Sequence, residues 1–281
     1  MFYLLNILIQ MKILLNNLKL IRELSHFNNI GFVPTMGGIH EGHIALINQS
    51  KKYCKKTIVS IFINPKQFNN KKDFSNYPNN IKKDLSILRK VKGIDFVYIP
   101  KFSDVYSHER KLNIKISNKD KILCAKFRKG HFEGVLDVMD RLTKLIKPQK
   151  IFMGKKDLQQ LFLVKDFIEK RYDSKVIGCK TIRNKDKLAL SSRNVLLDKN
   201  HLDIATKISK RLFSIKRKIR NKTNINKFLS KESVVLQKKF KIKIEYLENR
   251  NEFNLKLSNK VKNSKIFLSF YIGNIRLIDN F

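Results

Sequence analysis

A run of ten residues, Pro34-Thr-Met-Gly-Gly-Ile-His-Glu-Gly-His43, carries the densest chemistry in the chain. On a helical turn the spacing of His40 and His43 puts both imidazoles on one face. Gly37, Gly38 and Gly42 allow a close backbone approach to a ligand. A helix opening here offers unpaired N–H groups and a partial positive charge, which suit a phosphate. Two imidazoles beside such a site can donate hydrogen bonds to charge developing on a triphosphate. The same residues also read as a Gly-rich turn with two capping histidines. Metal binding is disfavoured, because no third ligand lies nearby in sequence.

Four further clusters follow in order. Val59-Ser-Ile-Phe-Ile-Asn-Pro-Lys-Gln-Phe68 is an apolar strand and the loop at its C-terminal end, where open α/β sheets bind ligands. Gln67 there has a donor and an acceptor, fit for a carboxylate or a hydroxyl without added charge. Arg128-Lys-Gly-His-Phe-Glu-Gly-Val135 sets a basic residue and a histidine on a Gly-flanked turn that can meet an anion or simply open a helix. Phe152-Met-Gly-Lys-Lys-Asp-Leu-Gln-Gln160 places Lys156 as a point charge for phosphate and Asp157 within reach of Mg²⁺ or its water shell. In Asp186-Lys-Leu-Ala-Leu-Ser-Ser-Arg-Asn194, Ser191, Ser192 and Arg193 offer two hydroxyls and a guanidinium, either to phosphate oxygens or as a capped loop.

Taken together, these stretches resemble the pantothenate synthetase (pantoate–β-alanine ligase) family of the His-x-Gly-His nucleotidylyltransferases. Five motifs of that family occur in the expected order over residues 33–194, and Arg276-Leu-Ile-Asp-Asn280 is similar to its C-terminal end. The resemblance implies ATP as a substrate with Mg²⁺, and condensation of pantoate with β-alanine through a pantoyl adenylate. It implies His43, His40, Lys156 and Arg193 as catalytic residues, with His43 matching the residue assigned as proton donor. It implies ATP contacts from Met36, Gly37, Gly38, Ile39, His40, Glu41, Gly42 and His43. Gly154, Lys155, Lys156, Asp157, Ile182, Leu190, Ser191, Ser192 and Arg193 complete that set. Gln67 and Gln160 are the implied pantoate glutamines, and Gln67 also meets β-alanine. Asp73, Tyr77-Pro78 and Asp84 continue the likeness; Asp84 is either a second Mg²⁺ ligand beside Asp157 or a solvated helix aspartate. Three lysines depart from the pattern: Lys129 stands for proline, Lys155 for glutamate and Lys187 for glycine. The family also implies a homodimer.

These side chains need elements to hold them. Ile30–Val33, ended by Pro34, reads as a buried strand, and a helix runs from about His43 to Lys52. Thr57–Ile63 is β-branched and continuous, as central parallel strands are. A helix over about 81–92, a strand at Asp95–Ile99, helical spacing from Val135 to Ile146, a strand at Lys150–Met153, a helix from Leu158 to Lys170 and a strand at Lys175–Cys179 complete an alternating pattern. Such alternation predicts an α/β, Rossmann-like parallel sheet over residues 1–185. Helical segments around 200–220 and 224–240, then strands at Ile242–Tyr246, Ile266–Phe270 and Ile275–Ile278, predict a smaller α+β domain over 186–281.

Composition narrows the function classes. The chain has 281 residues, 42% apolar and 30% charged, enough for a real core and unlike a disordered or membrane chain. Its formal net charge of +37 invites nucleic acid as a partner, for example on a degenerate nucleotidylyltransferase fold. The lysines are scattered rather than gathered, and Lys, Asn and Ile are enriched together, which points to AT-rich coding instead. Small molecules are therefore the expected partners, with no specific nucleic acid and no membrane. An adenylating enzyme for another carboxylate is the rival within enzymes. Cys54, Cys124 and Cys179 are far apart, odd in number and without metal spacing, which suggests a reduced, cytoplasmic protein. Met1–Gln10 is apolar but lacks a basic leader and a cleavage site, and it is too short to span a bilayer. Met11 is a second possible start.

Overall fold

The computed structural model describes residues 11–106 and 113–281. The reading of Met1–Gln10 lies outside these residues. In chain order the first part comprises β1 (Lys12–Leu14), α1 (Asn17–Leu24), β2 (Ile30–Thr35), α2 (Glu41–Tyr53), β3 (Lys56–Ile61), α3 (Lys71–Ser75), α4 (Ile81–Lys90), β4 (Phe96–Tyr98) and α5 (Phe102–Val105). It continues with α6 (Leu123–Phe127), α7 (His131–Ile146), β5 (Lys150–Gly154), α8 (Leu158–Glu169) and β6 (Lys175–Cys179). The six strands form one parallel sheet in the order β1-β4-β3-β2-β5-β6.

Alternation along each central strand fills two apolar layers. Phe32, Ile58, Phe96, Tyr98 and Ile151 face one side, against residues of α1, α7 and α8. Their neighbours Val33, Val59, Val97 and Phe152 face the other, against Leu46 and Ile47 of α2 and Leu88 of α4. Burial on both faces is why these strands read as unbroken hydrophobic runs. The short edge strand β1 and helix α1 were not anticipated from the pattern. β1 has only three residues and α1 only two turns, too short for either period to stand out, and β1 is placed by pairing with β4.

The chain leaves β2 in one direction, to β3 and β4, and later returns on the other side to β5 and β6. The order therefore reverses between β2 and β5, and open α/β sheets bind ligands at such a crevice. Contrary to the expectation that Pro34 ends the strand, β2 continues to Thr35, with Pro34 opposite Ser60 of β3. Pairing with β5 stops at Phe32 opposite Ile151. Proline has no N–H to extend a ladder, and on the β5 side none is needed, because that is where the crevice opens.

The second part carries α9 (Lys199–Lys218), α10 (Ile225–Phe240) and the antiparallel strands β7 (Lys243–Asn251), β8 (Ser264–Ile272) and β9 (Ile275–Asn280), in the order β7-β8-β9. Gly273, at φ +53°, takes the tight turn between β8 and β9 that residues with a Cβ resist. Its core joins Leu212, Ile215 and Leu229 of the helices to Ile266, Leu268 and Leu277 of the sheet. The opposite side of the same sheet sends Tyr246 and Phe267 into the core of the parallel sheet. The fold is thus the expected parallel α/β sheet followed by a small α+β unit.

Candidate active site

A cavity of about 260 Å³ opens at the C-terminal ends of β2 and β5. It lies at the reversal of strand order, and most of the residues singled out by the motifs line it.

One wall is the start of α2. Leaving β2, Thr35 donates its hydroxyl to the Ser60 carbonyl (2.6 Å) and accepts from the Gly37 N–H (3.2 Å). Gly37 and Gly38 then turn with φ of +81° and +61°, a region that suits glycine. The backbone N–H groups of Gly38 and Ile39 both donate to Asp84, at 2.9 and 2.8 Å. Ser192 donates from Oγ to the Gly38 carbonyl at 3.0 Å. The turn is therefore clamped by a carboxylate from α4 and a hydroxyl from the 191–193 segment.

His40 and His43 form a reciprocal cap. His40 Nδ1 accepts from the Gly42 N–H (3.0 Å), and His43 Nδ1 accepts from the His40 N–H (3.3 Å). An accepting Nδ1 carries no proton, so each neutral ring holds its proton on Nε2. Both rings line the cavity. Burial, with Lys156 nearby, lowers His40 to about 4; burial, with His40 and then Lys156 nearby, lowers His43 to about 3. At neutral pH the site thus offers two uncharged Nε2–H donors. The capping reading and the ligand-binding reading hold together, because they use opposite nitrogens of the same rings.

The segment after β5 supplies the charges. Lys156 lies beside Asp157, Nζ to carboxylate 3.6 Å, and both line the cavity. The backbone carbonyls of Lys155 and Lys156 accept from the Asn280 amide at 2.8 Å each, so the last strand of the chain pins this turn. Next to Asn280, Asp279 is held by Arg183 through two bonds of 2.6 and 2.8 Å. Across the cavity mouth, Arg193 makes a forked contact with Asp73 of α3, with Nη2 at 2.9 Å from both oxygens. Its guanidinium sits 5.2 Å from the Tyr77 ring centre.

The amide donors sit at the end of β3. Gln67 is buried and its Nε2 is 2.9 Å from Met36 Sδ. Asn64 donates to Gln67 Oε1 at 3.2 Å. The Gln67 carbonyl accepts from His131 Nδ1 at 2.7 Å, and Arg128 donates to His131 Nε2 at 2.8 Å. Burial, followed by the Arg128 charge, holds His131 well below its ordinary value, so it is neutral with its proton on Nδ1. Gly134 allows α7 to reach this turn: a Cβ there would lie 2.3 Å from the Lys66 carbonyl oxygen.

Of the expected site residues, Met36, His40, Gly42, His43, Gln67, Gly154, Lys156, Asp157, Gln160, Ile182, Leu190, Ser191, Ser192 and Arg193 line this one cavity. Gly37, Gly38 and Ile39 form the turn behind it. Glu41 is exposed on the first turn of α2 and faces elsewhere. Lys155 is exposed outside the cavity, near Cys179, so its charge reversal does not enter the site. Asp84 is not the solvated helix aspartate of one reading: it is 3% exposed, outside the cavity lining, and clamps the turn with one oxygen on each of two N–H groups. Asn64, Tyr77, Arg128 and His131 also line the cavity, the last two on the turn read as able to meet an anion or open a helix, and Asp73 stands outside the lining as the partner of Arg193. In sequence Asn64 reads only as part of the loop after the strand, and its side chain gives no separate signal.

A family model described as Pantoate-beta-alanine ligase matches residues 8–281. The chain belongs to the pantoate–β-alanine ligase family. A pantothenate synthetase of Sulfurihydrogenibium is 38% identical over 255 residues, covering 89% of this chain and 91% of the relative. One of Pseudothermotoga lettingae is 36% identical, covering 93% and 94%. The Thermus thermophilus pantothenate synthetase structure superposes with a TM-score of 0.87 at 26% identity, covering 96% of this chain and 99% of that one. The Francisella tularensis ligase, solved with a β,γ-ATP compound and β-alanine, gives a TM-score of 0.83 at 36% identity, covering 96% and 97%. This ligase family member is accordingly an ATP-dependent enzyme that forms an amide bond between pantoate and β-alanine.

Proposed function

We propose that the cavity performs both half-reactions. In the first, the pantoate carboxylate attacks the α-phosphorus of ATP, forming pantoyl adenylate and expelling pyrophosphate. In the second, the β-alanine amine attacks the acyl carbon, the amine gives up a proton, and AMP leaves with the C–O bonding pair. No bond to the enzyme is required. Catalysis then rests on positioning and on stabilising charge as it moves.

The observation that carries this reading is one cavity lined both by phosphate donors and by carboxylate-binding amides. His40 and His43 donate from Nε2, Lys156 adds a point charge, and Ser191 and Arg193 complete the phosphate set. Arg193 must exchange Asp73 for phosphate to do so. Ser192 acts through the glycine turn it latches. Gln67 and Gln160 take the pantoate carboxylate and hydroxyls, and Gln67 also meets β-alanine. His43 is neutral with its Nε2–H toward the cavity, so it donates a hydrogen bond to the departing pyrophosphate, a bond that strengthens as negative charge builds there.

Magnesium enters this scheme with the nucleotide. Among the described residues no group of three His, Cys, Asp or Glu can cage a metal. Mg²⁺ suits one or two carboxylates plus substrate phosphates and its own waters, and Asp157, 44% exposed at its side chain and lining the cavity, fits that part. When bound, the ion would neutralise phosphate charge. A domain boundary at 185/186, a homodimer and a cytoplasmic location belong to the same proposal. The last is supported by three free cysteines, and among the described residues no helix is long and apolar enough to cross a membrane.

The test is pyrophosphate release from MgATP by purified protein. Release is expected with pantoate alone, and pantothenate is expected once β-alanine is added. Release with β-alanine alone, or none with pantoate, overturns the order of steps.

A further inference from the structure

An amide side chain has two ends of nearly equal shape, and only its hydrogen bonds decide which end faces a ligand. Gln67 spends its oxygen on Asn64 Nδ2, 3.2 Å away, which leaves Nε2 directed at Met36 and the cavity. That presents donors, the correct sign for a carboxylate. The choice is passed back to Asn64, which is 1% exposed and fully committed. Its Nδ2 also donates to the Gly134 carbonyl at 3.0 Å. Its Oδ1 accepts from the Lys66 N–H at 3.2 Å and from the Tyr106 hydroxyl at 2.9 Å. If Asn64 turned over, its amino group would face the Lys66 N–H, and Gln67 would have to turn its oxygen toward the substrate carboxylate.

We propose that Tyr106 is a positioning residue for pantoate: its hydroxyl, together with the Lys66 N–H and the Gly134 carbonyl, holds Asn64, and Asn64 sets the Gln67 amide with its donors toward the cavity. This rests on Gln67 being a pantoate ligand. Tyr106 is built to stay in place. Its ring stacks on Phe102 at 4.7 Å between centres and tilts against Phe62 at 6.4 Å. The Lys66 ammonium lies 3.9 Å from the ring centre and the Arg141 guanidinium 4.7 Å. Burial, then the Asp137 charge, pushes the phenol above its ordinary value, so it remains a donor at working pH. All the ring contacts survive in Tyr106→Phe, and only the donated proton is lost.

The experiment is a double-mutant cycle of Tyr106→Phe and Gln67→Ala, read as pantoate-dependent pyrophosphate release at saturating MgATP. Tyr106→Phe is expected to raise the pantoate KM roughly three- to tenfold, the size of one lost hydrogen bond. The ATP KM should hold within about twofold and Tm within about 4 °C. In the Gln67→Ala background the same change should add nothing, because the amide it orients is gone. If the double variant is too slow to follow, calorimetric titration with pantoate completes the cycle. Additive effects, an equal rise in the ATP KM, or no effect of Tyr106→Phe overturns the relay while leaving Gln67 as a ligand. An unchanged pantoate KM in Gln67→Ala removes the ligand role itself, and the relay falls with it.

Discussion

Replacing Asp84 by asparagine separates a clamp from a metal ligand. The carboxylate gives one oxygen to each of two backbone N–H groups, at 2.9 Å from Gly38 and 2.8 Å from Ile39. An asparagine keeps the shape but has one oxygen. Its amino group must face the other N–H, donor against donor. One charge-assisted hydrogen bond is lost and one N–H is left unpaired beside a 3% exposed side chain. Together these cost roughly 2–4 kcal/mol. At about 2–4 °C per kcal/mol for a chain of this size, Tm falls by roughly 5–15 °C. Ile39 immediately precedes the His40 cap, so kcat/KM for ATP also falls, by about 10²-fold if the imidazoles shift by about 1 Å. Thermal denaturation followed by circular dichroism gives the first number, and steady-state pyrophosphate release gives the second. The Mg²⁺ concentration for half-maximal activity should not change. An unchanged Tm together with a tenfold higher Mg²⁺ concentration for half-maximal activity would refute the clamp and favour Asp84 as a metal ligand.

Other outcomes follow from the same geometry. Lys156→Ala should slow single-turnover adenylate formation by about 10²–10³-fold with the fold intact; near-normal rates would remove its role. Gln160→Ala should raise the pantoate KM and spare the ATP KM, and steady-state kinetics with each substrate varied will show whether it does. Lys187 is exposed and sits at φ +73°, where the resemblance expects glycine. Lys187→Gly should relieve up to about 1 kcal/mol of strain and raise Tm by about 1–3 °C at unchanged kcat. His40 and His43 titrate at about 4 and about 3 in the fold, below the ordinary 6.5. The folded state thus binds fewer protons than the unfolded one between those values. Their contribution to stability is complete above about pH 6.5 and declines as pH falls toward 4 and then 3. His43→Gln should flatten the fall in Tm across that window, and an identical acid slope in both proteins would count against the buried neutral ring.

Much of this site was legible in the residues. Continuous β-branched runs mark strands buried on both faces, and the glycine-histidine stretch marks a helix start whatever surrounds it. Those are local properties, set by side-chain shape and by backbone freedom at Gly37 and Gly38. The motifs also named most of the cavity lining, since three of them lie just past β2, β3 and β5 at the sheet edge where the crevice opens. What the sequence could not assign is how each polar group is spent. Asp84, Asp157 and Asp73 are the same side chain on the page. Only packing makes the first a clamp on Ile39, 45 residues away, exposes the second to the cavity, and hands the third to Arg193, 120 residues away. Pro34 shows the same division. Its missing N–H looks like a strand end locally, but the strand order places that gap on the side where β5 has already departed. The Gln67 amide is held by Asn64, which Tyr106 bonds from 42 residues away, and the Lys156 turn is held by Asn280 at the far end of the chain. Residue type sets which hydrogen bonds are possible; the tertiary fold decides which partners come within reach, because burial leaves each donor one acceptor and no water to replace it.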